Sequence, residues 1–311
     1  MKMLLATDGS DYSEWVAEFL TRLDWSPEDT ITVFHAIFWM PFGYDQASYL
    51  SALREIKNEI APRLLDSVLA ILKPVRAVKS VALEDGAPEQ SIIDAALSLN
   101  VDMIVIGGKG TRAIESLFLG RVTTSLSVNS PKPVLVVKRK EYAKSGSMKV
   151  LFATDGSEHA LATEEILSSV PFADDTEITV LNVTWSTFTD IPERFIKERD
   201  QLKTIVADMQ TRDVTESERI TLETAGRLTR RFKNIHVLSR SGDPSGEILK
   251  AAEKTEADII AVGCRGVRGI KGILGSVSRN ILTHSKCSVL IGRMCSGARC
   301  YTPHAPSCMN V

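Results

Sequence analysis

No part of the 311-residue sequence contains the roughly 20 consecutive apolar residues that a membrane-spanning helix requires. The apolar residues before Thr7 are too few for the core of a secretion signal, so we expect a cytoplasmic location. The net charge is only −2, which leaves no overall basic footprint for nucleic acid. None of the five cysteines lies in the first half, so no disulfide framework holds both halves. We therefore expect a globular protein without membrane or nucleic-acid partners.

The sequence contains two tandem copies of one repeated unit. Met1–Ser10 and Met148–Ser157 differ only at their third and fifth positions. A domain-sized repeat is far longer than the ~20–50-residue periods of solenoid proteins, and the chain length also favours about two domains. We predict a first domain over 1–140, a linker over 141–147, a second domain over 148–293 and a disordered, cysteine-containing tail over 294–311.

Each half is predicted to alternate short apolar strands with helices, which is typical of a parallel sheet covered on both faces. The predicted strands are 3–7, 31–37, 75–82, 103–106 and 134–137, then 150–154, 178–183, 235–238, 259–262 and 289–291. A long helix through residues 49–72 is predicted to kink at Pro62, whereas 185–231 is weakly periodic. The predicted fold class is α/β, with two tandem doubly wound, five-stranded, Rossmann-like domains. Ligands bind such sheets where the strand order reverses, which would bring together the loops after strands one and four.

Glycine-rich loops follow the predicted fourth strands, at Gly107–Gly110 and Gly263–Gly266, and glycines also open the next helices, at Gly120–Thr123 and Gly275–Ser278. Such loops and helix starts direct backbone amides at an anion, which favours a phosphate. Nearby hydroxyl and basic groups can add hydrogen bonds and offset phosphate charge. These groups belong to Thr123, Ser276, Ser278, Lys109, Arg112, Arg265 and Arg268. The alternative is that the loops are only tight turns, but two equivalent copies favour a phosphate site in at least one half.

Asp8 and Asp155 directly follow the first strand of each half. Because Asp-Gly is a common turn pair, one interpretation is structural, with Ser10 or Asp11 capping the following helix. The other is that each carboxylate accepts a hydrogen bond from a sugar hydroxyl or base amine of a nucleotide. We favour the second, because each aspartate precedes the capping positions and faces the predicted crevice.

Together these motifs resemble those of the universal stress protein family, whose nucleotide-binding members carry an aspartate after strand one and Gly-x2-Gly-x9-Gly-Ser/Thr after strand four. The resemblance extends to about Arg293. It implies an adenine nucleotide alpha hydrolase-like fold, ATP or a related adenine nucleotide with or without Mg²⁺, and a regulatory role in stress responses. The residues it implies for binding in the first half are Ala6, Thr7, Asp8, Ala36, Ile106, Gly107, Lys109, Gly110, Gly120, Arg121, Val122 and Thr123. In the second half they are Ala153, Thr154, Asp155, Val183, Val262, Gly263, Arg265, Gly266, Gly275, Ser276, Val277 and Ser278.

Each half departs from the family pattern. The first half keeps nine residues between its last two glycines (111–119), but Arg121 replaces the serine or threonine and can block the pocket. The second keeps Ser276 but has only eight residues in the gap (267–274). We slightly favour the second half as the binding half and leave the first open. Family members also pair through their last strands, so we expect 134–137 and 289–291 to pair within the chain, with a homodimer and unidentified protein partners as further expectations.

No catalytic constellation accompanies the predicted site. The sequence has no P-loop or nucleophile elbow, and its five histidines lack metal-ligand spacing. In the tail, Cys295, Cys300 and Cys308 match no standard zinc site. We therefore expect nucleotide binding without catalytic residues or a bound structural metal. Two alternatives remain: a protein-interaction scaffold that has lost nucleotide binding, and an ATP-using enzyme that adenylates or slowly hydrolyses.

Overall fold

The structure, a computed structural model, describes residues 1–38, 51, 54–109, 119–139, 146–185, 203–266 and 274–294. The described elements of the first half are β1 (Lys2–Ala6), α1 (Asp11–Leu20), β2 (Thr30–Ile37), α2 (Ala61–Ile71), β3 (Val78–Asp85), α3 (Pro88–Ser98), β4 (Met103–Gly107), α4 (Arg121–Asn129) and β5 (Val134–Val137). Those of the second half are β6 (Lys149–Ala153), α5 (Glu158–Ser169), β7 (Glu177–Thr184), α6 (Lys203–Leu228), β8 (Asn234–Ser241), α7 (Pro244–Lys254), β9 (Ile259–Gly263), α8 (Ser276–His284) and β10 (Ser288–Gly292).

All ten described strands form one continuous sheet in the order β3-β2-β1-β4-β5-β10-β9-β6-β7-β8. Neighbouring strands are parallel within each half, and the two halves join where β5 pairs antiparallel with β10. Leu135 lies opposite Leu290 at this junction. The α/β fold class and the tandem doubly wound order are confirmed, and the last strands pair inside the chain as expected.

Apolar side chains cover the sheet in two layers because successive strand residues point to opposite faces. Met3 and Leu5 lie in one layer, together with residues from α1, α2, α5 and α6. Leu4 and Ala6 lie in the other, together with residues from α3, α4, α7 and α8. Each layer contains residues of both halves, so the antiparallel junction extends the core across the repeat boundary.

The third strand of each half and the position of Pro62 in its helix differ from the sequence-based predictions. In the second half the third strand was expected at 235–238 but spans Asn234–Ser241. In the first half it was expected at 75–82 but spans Val78–Asp85, because Val75 and Ala77 are buried in the connection before the strand. Pro62 lies in the first turn of α2, and the helical turn before it is π-type, with the Ala61 amide donating to the Ile56 carbonyl. Proline has no amide hydrogen to donate, which suits it to a helix start.

The region expected to be least regular contains a long helix, α6, whose described side chains are largely polar and exposed. No helix among the described residues combines the length and apolar character that a membrane crossing needs. Residues 141–145 of the predicted linker and 295–311 of the predicted tail lie outside the described residues.

Candidate functional site

The strand order reverses between β1 and β4 in the first half and between β6 and β9 in the second. Ala6 lies opposite Ile106 at the first of these positions, and Ala153 lies opposite Val262 at the second. The carboxyl ends of each strand pair therefore bring the Asp-Gly turn beside the glycine loop. This is the position at which doubly wound sheets bind ligands.

Asp8 and Asp155 form matching turns after β1 and β6. Oδ1 of Asp8 accepts hydrogen bonds from the amide and hydroxyl of Ser10 at 3.1 and 2.6 Å, and Oδ1 of Asp155 accepts from the amide of Ser157 at 3.1 Å. The intervening Gly9 and Gly156 have φ values of +74° and +72°, a conformation that glycine adopts without steric cost. One oxygen of each carboxylate therefore has the structural role that the turn interpretation predicts, and both aspartates remain exposed.

Two polar residues near the ends of the second strands hold these turns in place, and neither was among the predicted site residues. Nδ1 of His35 lies 2.8 Å from the Thr7 carbonyl oxygen, and Nδ2 of Asn182 donates to the Thr154 carbonyl oxygen at 2.7 Å. His35 and Asn182 occupy equivalent positions of the repeat, one residue before Ala36 and Val183. The recurrence of a hydrogen-bonding side chain at this position was the signal that could have identified them.

The two helix starts beside the crevices are nearly identical. Gly120 and Gly275 are the N-cap residues of α4 and α8, with φ/ψ of −60°/150° and −58°/152°. The Gly120 amide donates to the Gly108 carbonyl at 3.0 Å, and the Gly275 amide donates to the Cys264 carbonyl at 2.8 Å. Neither N-cap residue offers a side chain to the amides of the first turn. Those amides have no partner within their helix, so each helix start suits an anion.

The hydroxyls of Thr123 and Ser278, predicted to contact a phosphate, make hydrogen bonds within the protein. Both residues are buried, and each hydroxyl donates at 2.7 Å to the carbonyl at the end of a strand, that of Gly107 or Gly263. These bonds tie the first turns of α4 and α8 to β4 and β9. Thr123 and Ser278 therefore position the helix starts, whereas Ser276 is exposed at the start of α8.

Arg121 does not fill the crevice of the first half, contrary to the obstruction considered from the sequence. Its Nη2 lies 3.0 Å from Oε1 of Glu89 at the start of α3, and its side chain is 76% exposed. The second half has Ser276 and Ser245 at the equivalent positions. The first half therefore replaces a pair of serines with an ion pair between an exposed arginine and a half-buried glutamate at the rim of its crevice.

In the second half, the glycine loop lies directly against the aspartate turn. A Cβ atom built on Gly266 would stand 2.5 Å from Oδ2 of Asp155. Gly263 is equally constrained, because a Cβ there would lie 3.0 Å from the backbone of His159 at the start of α5. A side chain at 263 would therefore press on the backbone of α5, and a side chain at 266 would press on the Asp155 carboxylate.

Cations accumulate beside both loops. The pKa of Lys138 is lowered to about 8, mainly by burial and to a smaller extent by the nearby charge of Lys109, whereas Cys287 raises it. Burial also lowers the pKa of Arg293, and the nearby charge of Arg265 contributes to the same decrease. The pKa of His159 is lowered by burial and then by Arg265. Like charges that are held together in this way favour an anion between them.

The other predicted residues fall into three groups. Ala6, Thr7, Ile106, Gly107, Ala153, Thr154 and Val262 are buried at the strand ends. Ala36, Val122, Val183 and Val277 are half-buried and pack against the core layer of α3, α4, α7 and α8. Gly110, Arg112 and Arg268 lie outside the described residues.

Within the described part of the chain, no three histidine, cysteine, aspartate or glutamate side chains cluster as they would to hold a metal ion. A divalent cation at either crevice would therefore need ligands from a bound phosphate in addition to a single carboxylate.

The order of the strands and the two crevices define a tandem, doubly wound α/β protein. The model of the universal stress protein family matches residues 1–138 and 146–293, so the chain belongs to this family. Each half of the molecule is therefore one universal stress protein domain.

Relatives and solved structures agree with this assignment. A universal stress protein of Thermus aquaticus is 29% identical over 136 residues, covering 44% of this chain and 97% of its own length. The Bacillus subtilis protein YxiE is 30% identical over 152 residues, covering 44% of this chain and 98% of its own. The crystal structure of a universal stress protein from Archaeoglobus fulgidus shares the fold, with a TM-score of 0.59 at 23% identity over 94% of this chain and 96% of that chain.

Proposed function

We propose that this protein binds an adenine nucleotide, ATP or a closely related one, in the crevices at the carboxyl ends of β1/β4 and β6/β9. The observation that carries the proposal is the apposition, in each half, of an exposed aspartate turn and an uncapped helix start with a glycine N-cap. The helix amides and nearby cations would hold phosphates. The carboxylate across the crevice would accept a hydrogen bond from the ribose or the base.

The second half is the stronger candidate. Its helix start carries the exposed Ser276, which can donate a hydroxyl hydrogen to a phosphate, and Oδ2 of Asp155 lies beside Gly266 of the loop. In the first half the equivalent helix position is Arg121, whose guanidinium pairs with Glu89. A phosphate there would have to compete with Glu89 for Arg121.

We propose a regulatory role in stress responses in which nucleotide occupancy, rather than turnover, is the signal. Phosphoryl transfer depends on positioned charge and a positioned nucleophile. The aspartate of each described crevice already uses Oδ1 as an acceptor in its own turn, which favours a binding role for it over a catalytic one. When Mg²⁺ accompanies the nucleotide, its ligands would come from the phosphates and from Asp8 or Asp155.

The proposal is tested by calorimetric titration of the full chain with ATP, AMP and GTP. Asp155→Ala should weaken ATP binding by about 10-fold or more, the usual loss when a charged hydrogen-bond partner is removed. Asp175→Ala, which removes an exposed carboxylate of the α5–β7 connection, is the matched control. Absence of both ATP and AMP binding by the unmodified protein would overturn the proposal and favour an interaction scaffold. ATP hydrolysis that Asp155→Ala abolishes would favour an enzyme.

A further inference from the structure

Lys138 connects the first half to the far end of a helix in the second half. It directly follows β5, and its Nζ donates to the carbonyl oxygens of Leu282 and Ser285 at 2.7 and 2.8 Å and to the Ser285 hydroxyl at 3.0 Å. These acceptors lie at and just beyond the carboxyl end of α8. A cation there satisfies the last carbonyls of the helix and its dipole.

Arg293 makes the reciprocal connection. It directly follows β10, and its Nη2 donates to the Ser127 carbonyl oxygen in the last turns of α4, in the first half. Arg293 and Lys138 occupy equivalent positions of the repeat, as do Ser127 and Leu282. Each half therefore places a cation at the carboxyl end of the helix, α4 or α8, whose amino end borders the crevice of the other half.

Each of these cations also lies against the glycine loop of its own half. The Gly108 amide donates to the Val137 carbonyl, and the Cys264 amide donates to the Gly292 carbonyl, each at 2.8 Å. Val137 and Gly292 immediately precede Lys138 and Arg293. The side chain of Lys138 is close enough to its loop that a Cβ on Gly108 would lie 3.3 Å from its Cγ.

Both cations are largely buried, and burial is the main cause of their lowered pKa values. Repulsion from Lys109 and from Arg265 lowers the pKa of Lys138 and of Arg293 further, whereas Cys287 and Cys264 raise these pKa values. Among the described residues, Nε of Arg293 is in addition buried without a hydrogen-bond partner. A phosphate beside Lys109 or Arg265 would offset this repulsion and strengthen the cation's contact with the opposite helix.

We infer that the two nucleotide sites are positively coupled through two connections that cross the junction. The glycine loop of the first half acts through Lys138 on α8, whose amino end forms the second site. The glycine loop of the second half acts through Arg293 on α4, whose amino end forms the first site. This inference rests on the proposed function. Helix α8 presents its amides to the second crevice and its last carbonyls to Lys138, and α4 presents its amides to the first crevice and its Ser127 carbonyl to Arg293. The two ends of each helix thereby contact different sites, so that a shift of either helix would change both.

The first test is ATP titration of the full chain with one site removed. If the sites are coupled, Asp8→Ala should weaken ATP binding at the second site by about 5-fold or more, the lower end of typical coupling factors. Adding Lys138→Met and Arg293→Met should abolish that effect, so that the second site has the same affinity with or without Asp8. Lys73→Met and Arg230→Met, which change exposed cations away from the junction, are the matched controls.

The second test is hydrogen exchange, which also applies if only the second half binds ATP or if the double variant does not fold. Adding ATP to Asp8→Ala should slow exchange at residues 127–130, at the end of α4 in the opposite half. Arg293→Lys, which keeps a cation but cannot span the same distance with a planar fork, should reduce this protection.

The outcomes separate the two claims. Absence of both ATP and AMP binding by the unmodified chain would overturn the proposed function. The coupling would be overturned if ATP bound the single-site variants with unchanged affinity and slowed hydrogen exchange only in the occupied half. The proposed function would still hold in that case.

Discussion

Gly266 and Asp155 are in such close apposition that a single methyl group at residue 266 would stand 2.5 Å from a carboxylate oxygen of Asp155. Gly266 does not have the positive φ that would exclude a side chain. Alanine at this position is therefore acceptable to the backbone and conflicts with the carboxylate instead. The two residues belong to loops separated by more than half of the second domain, and each limits the space of the other.

This relationship predicts a non-additive pair of variants. Gly266→Ala should turn the Asp155 carboxylate away and weaken ATP binding by about 10-fold, or ~1.4 kcal/mol, without lowering the free energy of unfolding. In an Asp155→Ala background the same change should cost little further, because the conflicting oxygen is absent. Calorimetric titration of the four proteins measures the coupling.

Gly226→Ala is the control for this cycle, because a Cβ on Gly226 of α6 would meet no atom within 4 Å. It should leave ATP affinity unchanged. Strictly additive effects of Gly266→Ala and Asp155→Ala would show that the loop and the carboxylate act independently.

A second prediction compares the equivalent turn glycines. Gly9→Ala and Gly156→Ala should each lower the free energy of unfolding by about 1–2 kcal/mol, because both glycines have positive φ. Gly9→Ala should cost more, since its Cβ would conflict with the side chain of Leu64, whereas the nearest atoms to Gly156, those of Ile220, lie 3.5 Å away. Urea unfolding of both variants gives the comparison, and equal costs would contradict the role of Leu64.

A third prediction concerns pH. Burial and Lys109 lower the pKa of Lys138 from 10.5 to about 8 in the folded protein. Between these two values the unfolded chain binds the proton and the folded chain does not, so this group makes stability rise with pH. The full gain is at most about 3 kcal/mol. It should be absent below about pH 8 and complete above pH 10.5.

The measurement is urea unfolding across this range for the unmodified protein and Lys138→Met, with Lys73→Met as the exposed control. Because Cys287 also faces Lys138 and raises its pKa, the comparison is repeated in a Cys287→Ser background. A stability difference between the unmodified protein and Lys138→Met that does not change with pH would contradict the lowered pKa.

The predictable part of the site was its backbone. The repeated Asp-Gly turn and glycine loops led from the sequence to both crevices, since turn glycines and apolar strands are local signals. The roles of the side chains were less predictable. Thr123 and Ser278 resembled phosphate ligands, but they are buried and bond to strand carbonyls, because the first turns of their helices pack on the strand ends. Arg121 pairs with Glu89, which is far away in the sequence.

The sequence by itself determined that one α/β unit occurs twice, and it also determined which residues end the strands beside each crevice. The family resemblance predicted that the last strands pair, but only the tertiary structure decided that β5 and β10 pair antiparallel and that Lys138 and Arg293 cross this junction to the opposite helices. The physical reason is the sequence separation of the interacting residues. Periodicity and turn chemistry involve residues a few positions apart and can be identified from the sequence. The partner of a buried cation depends instead on which distant carbonyls the assembled strands bring within hydrogen-bonding distance.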